Sequence, residues 1–234
     1  MSGHIGIVGC SAEGAALCYR TICLEAEPLM GRHAHPEVTM HTIALAEYMK
    51  HLSPVAAQDD WQAVAVLMLH SAQVLKRAGA DFLICPDNTI HQALPFVLPK
   101  SPLPWLHIAE EVGNEARRRG FRKLGLTGTK FLVNGPVYPE KLPPMGIGYV
   151  LPTVEQRERI NSIIFDELVR GQQTAKALGY LQQVIEQFKR QGCEAVVLGC
   201  TEIPLLVNDR NSPLPVLDST RILARAALRH ALAG

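Results

Sequence analysis

The stretch Lys76–Thr89, KRAGADFLICPDNT, returns 113 residues later as Lys189–Glu202, KRQGCEAVVLGCTE. Each copy reads in the same order: the basic end of a helix, a glycine that stops it, an apolar β-strand and a polar turn. The two align without a gap, and the alignment sets Asp87 opposite Cys200. Working outward, KLGLTGTKF from Lys123 echoes HIGIVGCSA from His4 at an offset of 119 residues, and PLPVLDSTRI from Pro213 echoes PLPWLHIAEE from Pro102 at 111. Three collinear matches at nearly one spacing indicate that one design was used twice.

The elements inside each copy define the fold class. HIGIVGC from His4 is a short strand closing on Gly9, followed by a helical stretch from Ala12 to Glu27, and EVTMHTIA reads as a second strand. The segment from Asp59 to Arg77 predicts a helix with an Asp cap and a stop at Gly79, and ADFLICP predicts a buried strand after it. PLPWLHIAEEVGNEARRRG then predicts a short strand turning into a helix that ends at Gly120. Strict alternation of strand and helix is the pattern of a parallel sheet covered on both faces. The expected fold is therefore α/β with two pseudo-symmetric lobes, each a parallel sheet flanked by helices, and an active site in the cleft between them. Residues 1–112 are expected to form the first lobe, with 208–234 crossing back to it, and 113–207 the second, the lobes exchanging terminal helices.

Composition narrows the partners. A chain of 234 residues with 47% hydrophobic content can bury a substantial core. Its 23 Lys and Arg against 22 Asp and Glu create neither a basic field for nucleic acid nor an acidic solvating tail, which points to a small-molecule partner. No apolar run approaches the roughly 20 residues of a membrane span, and the start MSGHIGIVGC has no basic flank leading into a signal-like stretch, so a cytoplasmic location is expected. The six cysteines, Cys10, Cys18, Cys23, Cys85, Cys193 and Cys200, form no CxxC and no zinc-ligand spacing with histidine. His33 and His35 make a lone HxH with no third ligand, GIVGCSAEG lacks the spacing of a dinucleotide turn, and EQRERI reads as a solvated helix face. Neither a metal nor an organic cofactor is expected.

In open parallel sheets, ligands sit beyond the carboxyl ends of the strands, where turns and helix N-termini gather N–H donors. Residues at matching strand ends of two facing lobes would reach a ligand from opposite sides. Removing a proton from one face of a carbon and returning one to the other needs two acid/base groups, and a carboxyl at Asp87 and a thiol at Cys200 can fill those roles. Asp87 also reads as the cap of a helix opening at NTIH. Ser11, Asn88, Thr89, Thr127, Thr129, Lys130, Thr201 and Glu202 lie at the four matching strand ends. Such short polar side chains suit a ligand carboxylate and equally suit ordinary turns.

The motifs CPDNTIH and LGCTEIPLL, each closing a strand, resemble the two signature sites of the aspartate/glutamate racemase superfamily. IGIVG, INSIIFDELVRGQ and LPVLDST are similar to its bacterial aspartate/glutamate racemase branch, so the resemblance runs from about Ile5 to Thr220. It implies a homodimeric isomerase that works without pyridoxal phosphate or any other cofactor on aspartate, glutamate or a related amino acid. It also implies two cysteines as the acid/base pair. Cys200 matches one, whereas Asp87 stands where the other is expected, and Cys85, two residues earlier, is not a substitute. The arginine that the resemblance places after the second strand is missing as well. HTIALAEYMKHL offers Lys50, His41 and His51 there, with Lys130 or Arg170 as candidates from elsewhere. Three readings follow: a two-base amino-acid racemase, a single-thiol lyase or isomerase of malonate-decarboxylase or maleate-isomerase type, and a non-catalytic binder of small molecules.

Overall fold

The computed structural model describes residues 2–52 and 60–233. Contacts within the chain divide it into two units, Met1–Ile108 with Leu223–Gly234, and Ala109–Ile222.

The first unit contains strands β1 (Ile5–Gly9), β2 (Val38–Thr42) and β3 (Phe82–Ile84) and helices α1 (Ala12–Met30), α2 (Leu45–Met49), α3 (Trp61–Arg77) and α4 (Leu94–Val97). Helix α5 (Ile108–Arg118) follows. The strands are parallel in the order β2-β1-β3, with Ile7 opposite Ile84, and a single bridge joins Leu83 to Trp105. Alternation along the strands sends side chains to both faces. Ile5, Ile7 and Ile84 pack against Cys18 and Ile22 of α1 and against Leu223 and Ala227, while Val8 and Leu83 pack against Ala72 and Leu75 of α3.

The second unit contains β4 (Lys123–Thr127), β5 (Gly148–Val150), β6 (Ala195–Leu198) and β7 (Val216–Asp218), with α6 (Lys130–Val133), α7 (Val154–Ser162) and α8 (Ala175–Arg190). Helix α9 (Ser219–Ala233) closes the chain. The sheet is again parallel, in the order β5-β4-β6-β7. Val196 and Leu198 pack with Ile185 and Phe188 of α8, and Ala195 and Val197 pack on the opposite face with Val112 of α5.

The two sheets share one plan down to register. Leu83 bridges Trp105 in the first unit, and their aligned counterparts Val196 and Val216 pair in the second. The aligned glycines Gly79 and Gly192 both adopt left-handed backbone, at φ +94° and +81°, which ends α3 and α8 without a Cβ clash. Duplicated α/β units with parallel sheets are thus the observed architecture.

Some boundaries differ from expectation. Asp59 lies outside the described residues, and α3 starts at Trp61 with Asp60 accepting the Ala63 N–H at 2.9 Å. Helix α1 continues past Glu27 to Met30 with Pro28 in its last turn, and the Gly31 N–H still reaches Glu27 O. The expected strand at PLPW is only the Trp105 bridge, and NTIH opens a 3₁₀ turn, Thr89–Ala93. INSIIFDE carries α7 into a π-helical turn at Ile163–Glu167. Among the described residues, no helix is long and apolar enough to cross a membrane.

Candidate active site

Because β1 and β3 are adjacent and parallel, the turns at their carboxyl ends emerge side by side. Asp87 Oδ2 there accepts the backbone N–H of Cys10 at 3.2 Å and of Ser11 at 3.4 Å. Ser11 is also the N-cap of α1, its hydroxyl accepting the Gly14 N–H at 3.2 Å. The carboxylate therefore sits on the N–H of the N-cap residue and of the residue before it, just ahead of a 19-residue helix whose peptide dipoles favour negative charge there. It does not cap the turn at NTIH, whose N-cap residue is Asn88.

Burial pushes the Asp87 carboxyl above the ordinary carboxylate range, and the hydrogen bonds from Cys10 and Ser11 offset part of that rise. The same pocket raises its neighbours. Cys10 and Cys85 are both buried, and burial, followed by the Asp87 charge, pushes their thiols well up. The Cys85 thiol turns back to the Asp87 carbonyl, 3.9 Å away. Tyr48 of α2 is fully buried, and burial with the nearby Cys85, Cys10 and Asp87 drives its hydroxyl far above the usual phenol range. His91 reaches the Asp87 carbonyl through Nδ1 at 3.1 Å. Asn88 is buried and Thr89 half-buried beside it.

In the second unit β4 and β6 play the corresponding parts. The Gly199 N–H donates to Thr127 O at 2.9 Å. A Cβ at Gly199 would lie 2.6 Å from that same oxygen, so only glycine lets the two strand ends approach this closely. Directly after it, the Cys200 thiol donates to Glu202 Oε2 at 2.9 Å, and the Thr201 hydroxyl donates to the same oxygen at 2.6 Å. All three residues are buried. A thiol held on a carboxylate is a group whose proton has an acceptor already in place.

The other expected binding residues lie at the end of β4. Thr129 caps α6, accepting the Leu132 N–H at 3.3 Å. The Lys130 N–H donates to Asn161 Oδ1 at 3.1 Å, and its ammonium lies 3.4 Å from Glu158 Oε2. Thr127 turns its hydroxyl to Val197 O at 2.7 Å and so serves the sheet. Among the described residues no group of three or more His, Cys, Asp and Glu is placed to hold a metal ion, and His35 Nδ1 meets Pro36 O at 2.8 Å.

Four residues gain importance that sequence reasoning gave them little or none of. Cys10 supplies an N–H to Asp87 from 77 positions away, which only strand adjacency could bring about. Tyr48 carries no local signal in AEYMK. His91 stands four residues after Asp87, the spacing of one helical turn, and that spacing could have drawn attention to it. Glu202 was one polar turn residue among several until its oxygen met the thiol.

The chain belongs to the Asp/Glu/hydantoin racemase family, whose sequence profile matches residues 7–227. It is 23% identical over 166 residues to the broad specificity amino-acid racemase RacX of Bacillus subtilis, a match covering 71% of each chain. It is 29% identical over 165 residues to a glutamate racemase of Thermus thermophilus, covering 68% of this chain and 58% of that enzyme. Among solved structures, an Asp/Glu racemase candidate from Yersinia pestis superposes with a TM-score of 0.88 at 31% identity, covering 98% of this chain and 99% of the other. An aspartate racemase homologue from Pyrococcus horikoshii superposes at 0.82 and 28% identity, covering 99% and 100%.

Proposed function

We propose that the protein is a cofactor-independent amino-acid racemase that exchanges the α-proton of aspartate, glutamate or a related amino acid between Asp87 and Cys200. The observation that carries this reading is the matched pair of strand ends. A side chain able to carry a proton stands at the carboxyl end of the same strand in each unit, Asp87 after β3 and Cys200 after β6, and each is held by hydrogen bonds. Family membership supports the reaction class.

In one direction the ionised Asp87 removes the α-proton, and the Cys200 thiol gives its proton to the opposite face. In the other, with the thiol proton passed to Glu202, the thiolate removes the α-proton and protonated Asp87 returns one, which leaves Asp87 ionised, Cys200 a thiol and Glu202 protonated, the state from which the first direction starts. Burial favours the protonated form of Asp87, which helps the carboxyl hold the proton it takes. Ser11, Asn88, Thr89, Thr129, Lys130 and Thr201 are the proposed substrate-binding residues. By the same kinship the enzyme is proposed to act as a cytoplasmic homodimer.

A second reading has one observation in its favour. Asp87 Oδ2 already occupies the Cys10 and Ser11 N–H groups. A carboxylate kept there would leave Cys200 as the single working base, as in a lyase or isomerase of this fold. Incubation in D₂O with paired L- and D-amino acids, without added cofactor, separates the two. Deuteration with inversion is expected, deuteration without inversion would favour the single base, and inertness toward every amino acid would refute the racemase. Cys200→Ser should abolish exchange, and a variant that retained it would remove this thiol from the reaction.

A further inference from the structure

His91 lies 2% exposed in the 3₁₀ turn after Asp87, with both ring nitrogens engaged by backbone groups of fixed polarity. Nδ1 is 3.1 Å from the carbonyl oxygen of Asp87, a group that can only accept. Nε2 is 3.2 Å from the backbone N–H of Ile108, a group that can only donate. One protonation state satisfies both: a neutral ring with its proton on Nδ1. A proton on Nε2 would set N–H against N–H, and an Nδ1 without its proton would face a carbonyl lone pair. The ring is further flanked edge-on by His107, with centroids 4.8 Å apart.

We infer that His91 is a positioning residue for Asp87: as the Nδ1–H tautomer, tied through Nε2 to the first residue of α5, it fixes the Asp87 peptide so that the carboxylate stays on the Cys10 and Ser11 N–H groups. This deepens the racemase reading and rests on it for its catalytic consequence. The role follows from geometry. Asp87 lies outside any helix or strand, its carboxylate bonds at 3.2 and 3.4 Å are long, and anchoring the carbonyl of the same residue limits how far the side chain can swing. The two ring nitrogens bond backbone atoms of Asp87 and Ile108, so the effect of the imidazole runs through the Asp87 peptide.

Two substitutions split the two halves of the bridge. His91→Asn places an amide N–H where Nδ1 stood and keeps donation to Asp87 O while losing Ile108. His91→Gln places an acceptor where Nε2 stood and keeps Ile108 while losing Asp87 O. The whole chain, selectively labelled with ¹⁵N-histidine and ¹³C-aspartate, is followed by NMR, and α-proton exchange is measured in D₂O. The expected result is an Nδ1–H signature for His91 in the unaltered protein. The Asp87 carboxyl should titrate about one pH unit higher in His91→Gln, and close to its original position in His91→Asn. Exchange should follow, with kcat down about tenfold or more in His91→Gln at little changed KM, and within about threefold of the unaltered protein in His91→Asn. An Nε2–H tautomer or a charged ring at neutral pH would overturn the inference, even if His91→Gln failed to fold. So would an Asp87 titration that moved equally in both variants. Absence of exchange with every amino acid would refute the racemase and leave the two NMR readouts to judge His91 by themselves.

Discussion

Gly125, in the middle of β4, gives the most quantifiable test of the second unit, because the ring of Phe188 lies directly over it. A Cβ at that position would stand 2.3 Å from Phe188 Cδ2, 2.5 Å from Cγ and 2.9 Å from Cε2. Carbon atoms prefer about 3.5–4.0 Å, so in Gly125→Ala the ring must retreat by more than about 1 Å. It has little room to do so, being 2% exposed in a cluster with Ile185, Val196 and Leu198, and Cγ sits at the rigid root of the ring. Overpacking of this kind costs about 1–3 kcal/mol, against which the backbone gain of Ala over Gly in a strand returns about 0.5–1 kcal/mol. The 2.3 Å approach puts the cost in the upper part of that range, about 2–3 kcal/mol, so the net expectation is a loss of about 1–2.5 kcal/mol, or roughly 2–10 °C in Tm for a chain of this size.

Gly113 in α5 is the control. A Cβ there would also meet side-chain atoms at 2.5 and 2.9 Å, but these are Sδ and Cε of Met145, the free end of a half-buried, flexible chain. Gly113→Ala should therefore be neutral or stabilising, given the helix preference of about 0.8–1.0 kcal/mol for Ala. Urea and thermal unfolding of both variants, and of Gly125→Ala combined with Phe188→Leu, provide the assay. The smaller side chain should relieve at least about half of the Gly125→Ala penalty. A Gly125→Ala protein within about 0.5 kcal/mol of the original, or one indifferent to Phe188→Leu, would refute this account of the packing.

Asp87→Asn should alter the pH dependence of stability in a definite direction. The folded carboxyl is raised above its ordinary 3.8, so the stability it contributes is full below that value and is lost as pH rises through the elevated folded one. Each unit of elevation amounts to about 1.4 kcal/mol, and urea midpoints at pH 4 and pH 8 should fall less in Asp87→Asn than in the original chain; equal falls would contradict the burial argument. Glu202→Gln keeps an acceptor for Thr201 and Cys200 but cannot take the thiol proton. It should lower kcat for exchange about 10²-fold with little loss of Tm. Glu202→Ala should lose the same activity and also about 1–3 kcal/mol of stability, because it removes the carboxylate that accepts from both Cys200 and Thr201. Full activity in Glu202→Gln would show that the carboxylate carries no proton.

How much of this was legible in the chain depends on the range of the signal. Glycine stops, apolar strands and the paired KR-G units lie within about 14 residues, and they marked the duplication, the parallel sheets and the equivalence of Asp87 and Cys200. The Cys200–Glu202 contact is also local, two residues apart, yet a turn of polar residues gave no reason to single out one carboxylate. Helix ends differ from expectation by a few residues, as the cap at Asp60 and the run of α1 through Pro28 illustrate. The π-helical turn at Ile163–Glu167 has no periodic signature that distinguishes it from the α-helix it continues.

By itself, then, the sequence determined the main alternation of strands and helices, that the pattern occurs twice, and which side chains close the matching strands. Only the tertiary structure decided what those side chains touch. Asp87 found the N–H groups of Cys10 and Ser11 because β1 lies next to β3, and His91 found Ile108 across 17 residues because the turn after β3 meets the start of α5. Phe188 found Gly125 because α8 packs across the sheet. Secondary structure is set by neighbours along the chain, whereas hydrogen-bond partners and steric gaps are set by strand order and helix packing, which bring together residues with no local pattern in common.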